Sequence, residues 1–343
     1  MPTTEKPLVI SCPEPRSLEL IFSREARRQL EQSYRIAECS ELEIDALPAH
    51  ILADARYIIG QPPLTSDVFE KLQSLKCIFN VEGNLLGNMP YDRAFERGIH
   101  VVTTGAVFAR PVAELGLAMA LDAARGLARN DRAFTEGNEL WGLQSNLNAR
   151  LLSRAEVGIV GFGDLGQALN QLLAGFHTVT RVYDPWLPPS ILRENGVEPA
   201  NLDTVLEKSD FVFIVAAVTS DNKGFLGADQ FASMREGAAF ILLSRADVVD
   251  FPALMAAAQS GHIKVASDVF PEEPVPADHP VRTTPNFLRS AHRAGALDAA
   301  FKQMGNMVLE DMALLDKGLF PMLCKRAERE TVSRLRSAPV SKN

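Results

Sequence analysis

Residues 157–166 read Val-Gly-Ile-Val-Gly-Phe-Gly-Asp-Leu-Gly. Gly161, Gly163 and Gly166 stand between an apolar run and a helical pattern, in the order Gly-x-Gly-x-x-Gly. At a dinucleotide site the three glycines have separate jobs: a tight turn, close backbone approach to a pyrophosphate, and close packing of helix on strand. A helix that opens there offers unpaired N–H groups and a positive dipole end to the phosphates. Asp184 lies 18 residues beyond Gly166 and ends a second apolar run. A carboxylate in that place can hold a ribose 2′-hydroxyl. It would repel a 2′-phosphate, and Pro185-Trp186-Leu187 brings no cation to neutralise one. The cofactor expected is therefore NAD rather than NADP.

Three further residues could do chemistry. Arg245 ends the run Ile241-Leu242-Leu243-Ser244, Glu273 sits directly before Pro274, and His292 lies in Ser290-Ala291-His292-Arg293-Ala294-Gly295. All three follow predicted strands, and in an open parallel sheet ligands bind beyond the carboxyl ends of the strands. Hydride transfer needs a partner that moves the hydroxyl proton, and imidazole is the side chain that titrates near working pH. A carboxylate beside it stabilises the imidazolium and sets the tautomer, while an arginine can grip a substrate carboxylate with two hydrogen bonds. Taken singly, each residue has a plainer reading: a surface arginine, a turn glutamate, a satisfied histidine.

The elements that must position these groups are legible in the alternation of apolar runs and helical patterns. Strands are expected at Leu8–Ile10, Tyr34–Ala37, Tyr57–Gly60, Cys77–Val81 and His100–Val102. A long helix follows Pro111, and residues 130–150 are polar and turn-rich with Trp141 as an anchor. A second series runs Val157–Val160, Thr180–Tyr183, Phe211–Val215, Ala239–Leu243 and Lys264–Ser267, with a weak strand near Phe287. After Gly166 the apolar residues Leu165, Ala168, Leu169, Leu172 and Leu173 share one helical face. Strands alternating with helices imply parallel, doubly wound sheets. The expectation is an α/β chain of two Rossmann-like domains. A flavodoxin-like substrate domain takes 1–108 and 297–343, and an NAD-binding domain takes 109–296. A C-terminal helix near Ala299–Leu315 packs back onto the first domain, and the polar residues after Arg326 fray.

Composition narrows the class. At 343 residues the chain can hold two full cores. A formal charge of −8 gives no basic field for nucleic acid or an anionic membrane. No run approaches the ~18 apolar residues of a membrane span; the longest, Phe211–Val218, has the length of a buried strand. Cys12, Cys39, Cys77 and Cys324 form no C-x-x-C pair, a pattern of reduced thiols in a cytoplasm rather than of a disulfide framework or a metal site.

Together these residues resemble the D-isomer-specific 2-hydroxyacid dehydrogenases. The likeness rests on Gly161–Gly166, Ser244-Arg245 through Val249-Asp250, Asp268-Val269-Phe270 through Glu273-Pro274, and His292 with Gly295. Arg97-Gly98-Ile99, Val101-Val102 and Val112-Ala113-Glu114 match the hinge side of the first domain. The resemblance implies an oxidoreductase that interconverts a D-2-hydroxy acid and a 2-oxo acid, with Arg245, Glu273 and His292 as its catalytic set. Glu272 is then the decoy, since the family's acid directly precedes proline. It implies cofactor contacts at Gly161, Gly163, Asp164, Leu165, Gly166, Asp184, Ala217, Asn222, Ser244, Asp268 and the Arg293–Gly295 segment. It places a substrate-carboxylate loop at Val81-Glu82-Gly83-Asn84-Leu85, with the Gly83 and Asn84 amides as donors alongside Arg245. It implies a homodimer joined through the nucleotide domain around Ala123–Trp141. Phe108, Arg110, Leu85 and Leu86 are candidates to line the pocket. The chain departs from the family's pattern at Leu242, Ala246, Ala291 and the Ala216-Ala217-Val218 loop, which marks a divergent branch. Two other readings stay open: an NAD(H)-sensing corepressor-like binding protein on the same scaffold, and oxidation of a non-hydroxyacid substrate such as phosphite. Formate fits less well, because that branch pairs its histidine with glutamine.

Overall fold

The computed structural model describes residues 5–217 and 222–332, and divides into two compact units. One takes the chain up to Phe108 and again from Ala296; the other takes Ala109–Gly295. Each is a doubly wound α/β sheet.

In the first unit, strands β1 (Leu8–Ser11), β2 (Arg35–Glu38), β3 (Ala55–Ile59), β4 (Cys77–Asn80) and β5 (His100–Thr103) are all parallel. β1, β3 and β4 are apolar almost throughout and buried, because helices cover both faces of such a sheet. β2 lies at one edge and is only partly covered.

The second unit strings β6 (Glu156–Val160), β7 (Val179–Tyr183), β8 (Glu198–Pro199), β9 (Phe211–Ile214), β10 (Ala239–Leu242), β11 (Lys264–Ser267) and β12 (Phe287–Arg289) into one sheet, ordered β12-β11-β10-β9-β6-β7-β8. Every pairing in it is parallel. β6 therefore sits at the point where the chain's winding reverses, and its carboxyl end is where an open sheet takes a ligand. The helix Ala109–Arg125 packs on the helix Asp164–Leu173, and a Cβ at Gly116 would lie 2.4 Å from Leu243, so that glycine lets the first of these helices sit close to the end of β10.

The chain then returns to the first unit. The helix Asp298–Asp316 packs on the helices Leu18–Ile21 and Arg24–Ser33. A two-residue strand, β13 (Lys325–Arg326), pairs antiparallel with β5 and gives the order β13-β5-β4-β3-β1-β2. Both β8 and β13 escape sequence reading, since two residues carry no periodicity. The segment after Arg125 also differs from its expectation. Leu127–Glu136 is helical, and Trp141 anchors nothing within the unit: it is 72% exposed and makes an edge contact with Phe134. Among the described residues no helix is long and apolar enough to cross a membrane.

Candidate active site

The glycine loop is built by steric necessity. Gly161 follows β6 with φ +93°, and its N–H donates to Tyr183 O at 2.9 Å. A Cβ there would lie 2.6 Å from Ala216 Cα, so the loop passes against the end of β9 only because the side chain is missing. A Cβ on Gly166 would lie 2.5 Å from Gly161 O, which is the close helix-on-strand contact. Gly163 is the opposite case: nothing lies within 4 Å of where its Cβ would be. It caps the helix Asp164–Leu173 without a side-chain hydrogen bond. Gly163 and Asp164 are exposed, and Leu165 turns partly into the core. An open approach over Gly163 and an uncapped helix start fit the pyrophosphate of a dinucleotide.

Asp184 is tied to that loop. One carboxylate oxygen accepts from Phe162 N–H at 2.7 Å, and the other from the N–H groups of Trp186 at 2.9 Å and Leu187 at 3.3 Å. The side chain thus braces the glycine turn against its own, a role its spacing did not announce. Asn222 Nδ2 donates to Ala217 O at 2.8 Å. Residues 218–221, Val218 among them, lie outside the described residues.

Arg245, Glu273 and His292 come together at the ends of β10, β11 and β12. Glu273 Oε2 lies 2.5 Å from His292 Nδ1, and its Oε1 accepts from Phe270 N–H at 2.8 Å. Arg245 is near enough for its charge to act on Glu273, and its Nη1 donates to Ser244 O at 2.6 Å. Glu272 is exposed. Ser244 Oγ is buried and has no hydrogen-bond partner among the described residues. Ala246 opens a short 3-10 turn, Ala246–Val248, and its φ is not positive, so the absence of a glycine costs nothing there.

His292 is held in an uncommon conformation, with φ +47°. A left-handed non-glycine residue costs about 1–3 kcal/mol and persists only where its surroundings over-determine it. Asp268 does this. It is 1% exposed; its backbone carbonyl accepts from His292 N–H at 2.8 Å, and its carboxylate accepts from Arg293 N–H at 3.1 Å and Ala294 N–H at 3.0 Å. Asp268 therefore fixes the loop that carries the histidine, and Gly295 closes that loop.

Burial pushes the Glu273 carboxyl up, but the His292 hydrogen bond, the Phe270 amide and the charges of His292 and Arg245 outweigh it and hold it below the usual range. A carboxyl depressed in the folded state stabilises above its unfolded value, about 4.3, and the contribution is lost as pH falls through the lower folded value. The difference in melting temperature between wild type and Glu273→Gln should therefore shrink as pH falls below about 5. Thermal scans from pH 3 to 8 check this; a difference that stays constant down to pH 3 would contradict the pairing.

In the first unit, the Gly83 turn is shaped by a residue that sequence reading passed over. Asn80, fully buried at the end of β4, accepts at Oδ1 from the N–H groups of Glu82 at 2.9 Å and Gly83 at 3.2 Å, and donates to Asn84 O at 3.0 Å. Its Nδ2 also donates to Gln61 Oε1 at 2.7 Å, and Gln61 in turn holds Leu86 O. Gly83 needs its φ of +99°. Its amide is already engaged, so a carboxylate bound there would share it. A buried Asn closing an apolar strand was the available signal. Arg16 braces the same loop, donating to Val81 O at 2.7 Å from between the rings of Phe108 and Phe301.

The profile described as "D-isomer specific 2-hydroxyacid dehydrogenase, NAD binding domain" matches residues 117–294. A glyoxylate reductase of Korarchaeum cryptofilum is 31% identical over 271 residues, covering 78% of this chain and 81% of that protein. A D-3-phosphoglycerate dehydrogenase of Methanocaldococcus jannaschii is 28% identical over 268 residues, and there the match spans 50% of the relative's length. The crystal structure of a phosphoglycerate oxidoreductase from Rhizobium etli superposes with a TM-score of 0.89 at 64% identity, covering 94% of this chain and 99% of that one. With the glycine loop and the Arg-Glu-His set in place, the chain belongs to the D-isomer specific 2-hydroxyacid dehydrogenases, a family of NAD-dependent oxidoreductases.

Proposed function

We propose that the chain interconverts a small D-2-hydroxy acid and its 2-oxo acid, with His292 as the acid–base residue. The contact between Glu273 Oε2 and His292 Nδ1 carries this reading. With Nδ1 engaged by a carboxylate, Nε2 is the ring nitrogen left to exchange a proton with the substrate oxygen. In the reducing direction His292, protonated and paired with Glu273, gives its Nε2 proton to the oxygen on C2. Arg245 grips the carboxylate and polarises the carbonyl. The Gly83 and Asn84 amides are the further carboxylate donors assigned by this reading. When bound, NADH supplies the hydride that C2 receives. Support for small acids comes from relatives named for glyoxylate, hydroxypyruvate and phosphoglycerate.

The test is NADH absorbance with glyoxylate, hydroxypyruvate, pyruvate, phenylpyruvate and longer dicarboxylates. Consumption concentrated on the two- and three-carbon acids is expected. No consumption with any of them, while NADH binding is confirmed by fluorescence, would overturn the reading.

A homodimer is part of this proposal. Phe134, Leu140, Trp141, Leu143, Leu147 and Leu151 are all more than half exposed within 18 residues of chain. Exposed large apolar side chains concentrated in that way are the kind of surface that association covers. Light scattering should give twice the 37.5 kDa chain mass. The double variant Trp141→Lys, Leu143→Lys should run as a monomer; a monomeric wild type would refute the dimer.

A further inference from the structure

Cys12 and Cys39 are 27 residues apart and share no sequence pattern, yet the fold makes them neighbours. β1 and β2 pair in parallel with Ser11 opposite Glu38, so the next residues, Cys12 and Cys39, stand opposite one another. The ladder continues to that point, since Cys39 N–H donates to Ser11 O at 3.1 Å. Partners in register on parallel strands project to the same face, and both cysteines pack against the same apolar core. The two sulfurs are close enough that each thiol's proton affinity depends on the other. Neighbouring strands lie about 4.8 Å apart, inside the roughly 4.4–6.8 Å between Cα atoms that a disulfide spans.

The two residues differ in access. Cys12 is buried, whereas Cys39 is half-buried on the outer strand of the sheet. The loops beyond them are tied together by Glu14, whose carboxylate accepts from Ser40 Oγ at 3.2 Å and Glu41 N–H at 3.0 Å. Interaction with the Cys12 thiol holds the Cys39 thiol below its usual range, while interaction with Cys39 and burial raise Cys12. Cys77 and Cys324 are both buried, and burial raises each of them, so both should stay reduced.

We propose that Cys12 and Cys39 are a redox site that closes reversibly to an intrachain disulfide when the chain meets a hydroperoxide. Cys39 thiolate attacks the peroxide O–O bond, forming a sulfenic acid and releasing an alcohol or water. The Cys12 sulfur then attacks the Cys39 sulfur, the S–O bond breaks, and water leaves with the Cys12 proton. The two thiols lose two electrons and two protons, and the peroxide is reduced by the same two electrons. This inference stands on the first unit alone and is independent of the substrate assignment.

The test uses the full chain, reduced, desalted and treated with a few-fold excess of hydrogen peroxide. It is then unfolded, alkylated and mapped by peptide mass spectrometry without reductant. The expected result is that two of the four thiols escape alkylation, in a linked peptide pair joining Cys12 to Cys39 and lighter by two hydrogens. Dithiothreitol should restore all four. In Cys39→Ser, a change at a half-exposed edge position, the link should vanish and Cys12 should stay alkylatable. Four free thiols after treatment, overoxidation of Cys39 without a link, or a link between chains would each overturn the proposal.

Discussion

Replacing His292 by asparagine should lower kcat by about 10²–10⁴ and leave NADH affinity within a few-fold of wild type. Asparagine is the informative substitution. His292 sits at φ +47°, a region that Asn tolerates at least as well as His, so the backbone is not forced to move. The Asp268 bonds that hold the loop are to main-chain N–H groups and survive the change. What is lost is the group that carries the proton. The glycine loop is a separate piece of backbone, braced by Asp184 rather than by His292. Stopped-flow NADH oxidation and fluorescence titration separate the two effects. A variant that turns over within tenfold of wild type would remove His292 from the acid–base role.

Gly161→Ala should weaken NADH binding by about 2–3 kcal/mol, roughly a hundredfold in Kd, and lower the melting temperature as well. Two independent costs act at this position. A left-handed φ in a non-glycine residue costs about 1–3 kcal/mol. The new methyl would also lie 2.6 Å from Ala216 Cα and 2.7 Å from Ala216 N, atoms at the end of a core strand that cannot swing aside. The loop must therefore lift, carrying Phe162 and Gly163 away from their positions over the helix start. Gly163→Ala is the matched control. Its added methyl meets nothing in the protein, so the fold should tolerate it, and any loss of NADH affinity reports the space a ligand needs. If Gly161→Ala binds NADH as wild type does, the loop is not the pyrophosphate site.

Much of the fold was legible in sequence because parallel, doubly covered strands are nearly continuous apolar runs. The eleven strands expected from such runs are present within a residue or two at each end. The two that were not expected, β8 and β13, are two-residue edge pairings created by neighbours rather than by their own pattern. The helix Leu127–Glu136 runs into residues 130–150, which read as polar and turn-rich because Asn130 and Asp131 stand between Leu127 and Phe134 where a core-facing helix repeats an apolar residue. Trp141 looked like an anchor by size, but a large apolar residue is buried only if the chain supplies a partner surface.

The sequence by itself determined the chemistry available: three glycines and a distal carboxylate with a dinucleotide spacing, and an arginine, a glutamate and a histidine after successive strands. Those are local properties, set by residue type and by the period of the helix and strand around them. Tertiary structure alone decided how the groups act. It brought Glu273 to 2.5 Å from His292 across 19 residues of chain, and it set Asp268 beneath the histidine loop as its lock. It also turned Asp184 into a brace for the glycine turn, gave Asn80 the shaping of the Gly83 loop, and laid Cys12 beside Cys39. All but the Asn80 turn, whose bonds span two to four residues, depend on the register between strands that are distant in sequence. Register is fixed by the packing of whole sheets and leaves no mark on the residues taken one at a time.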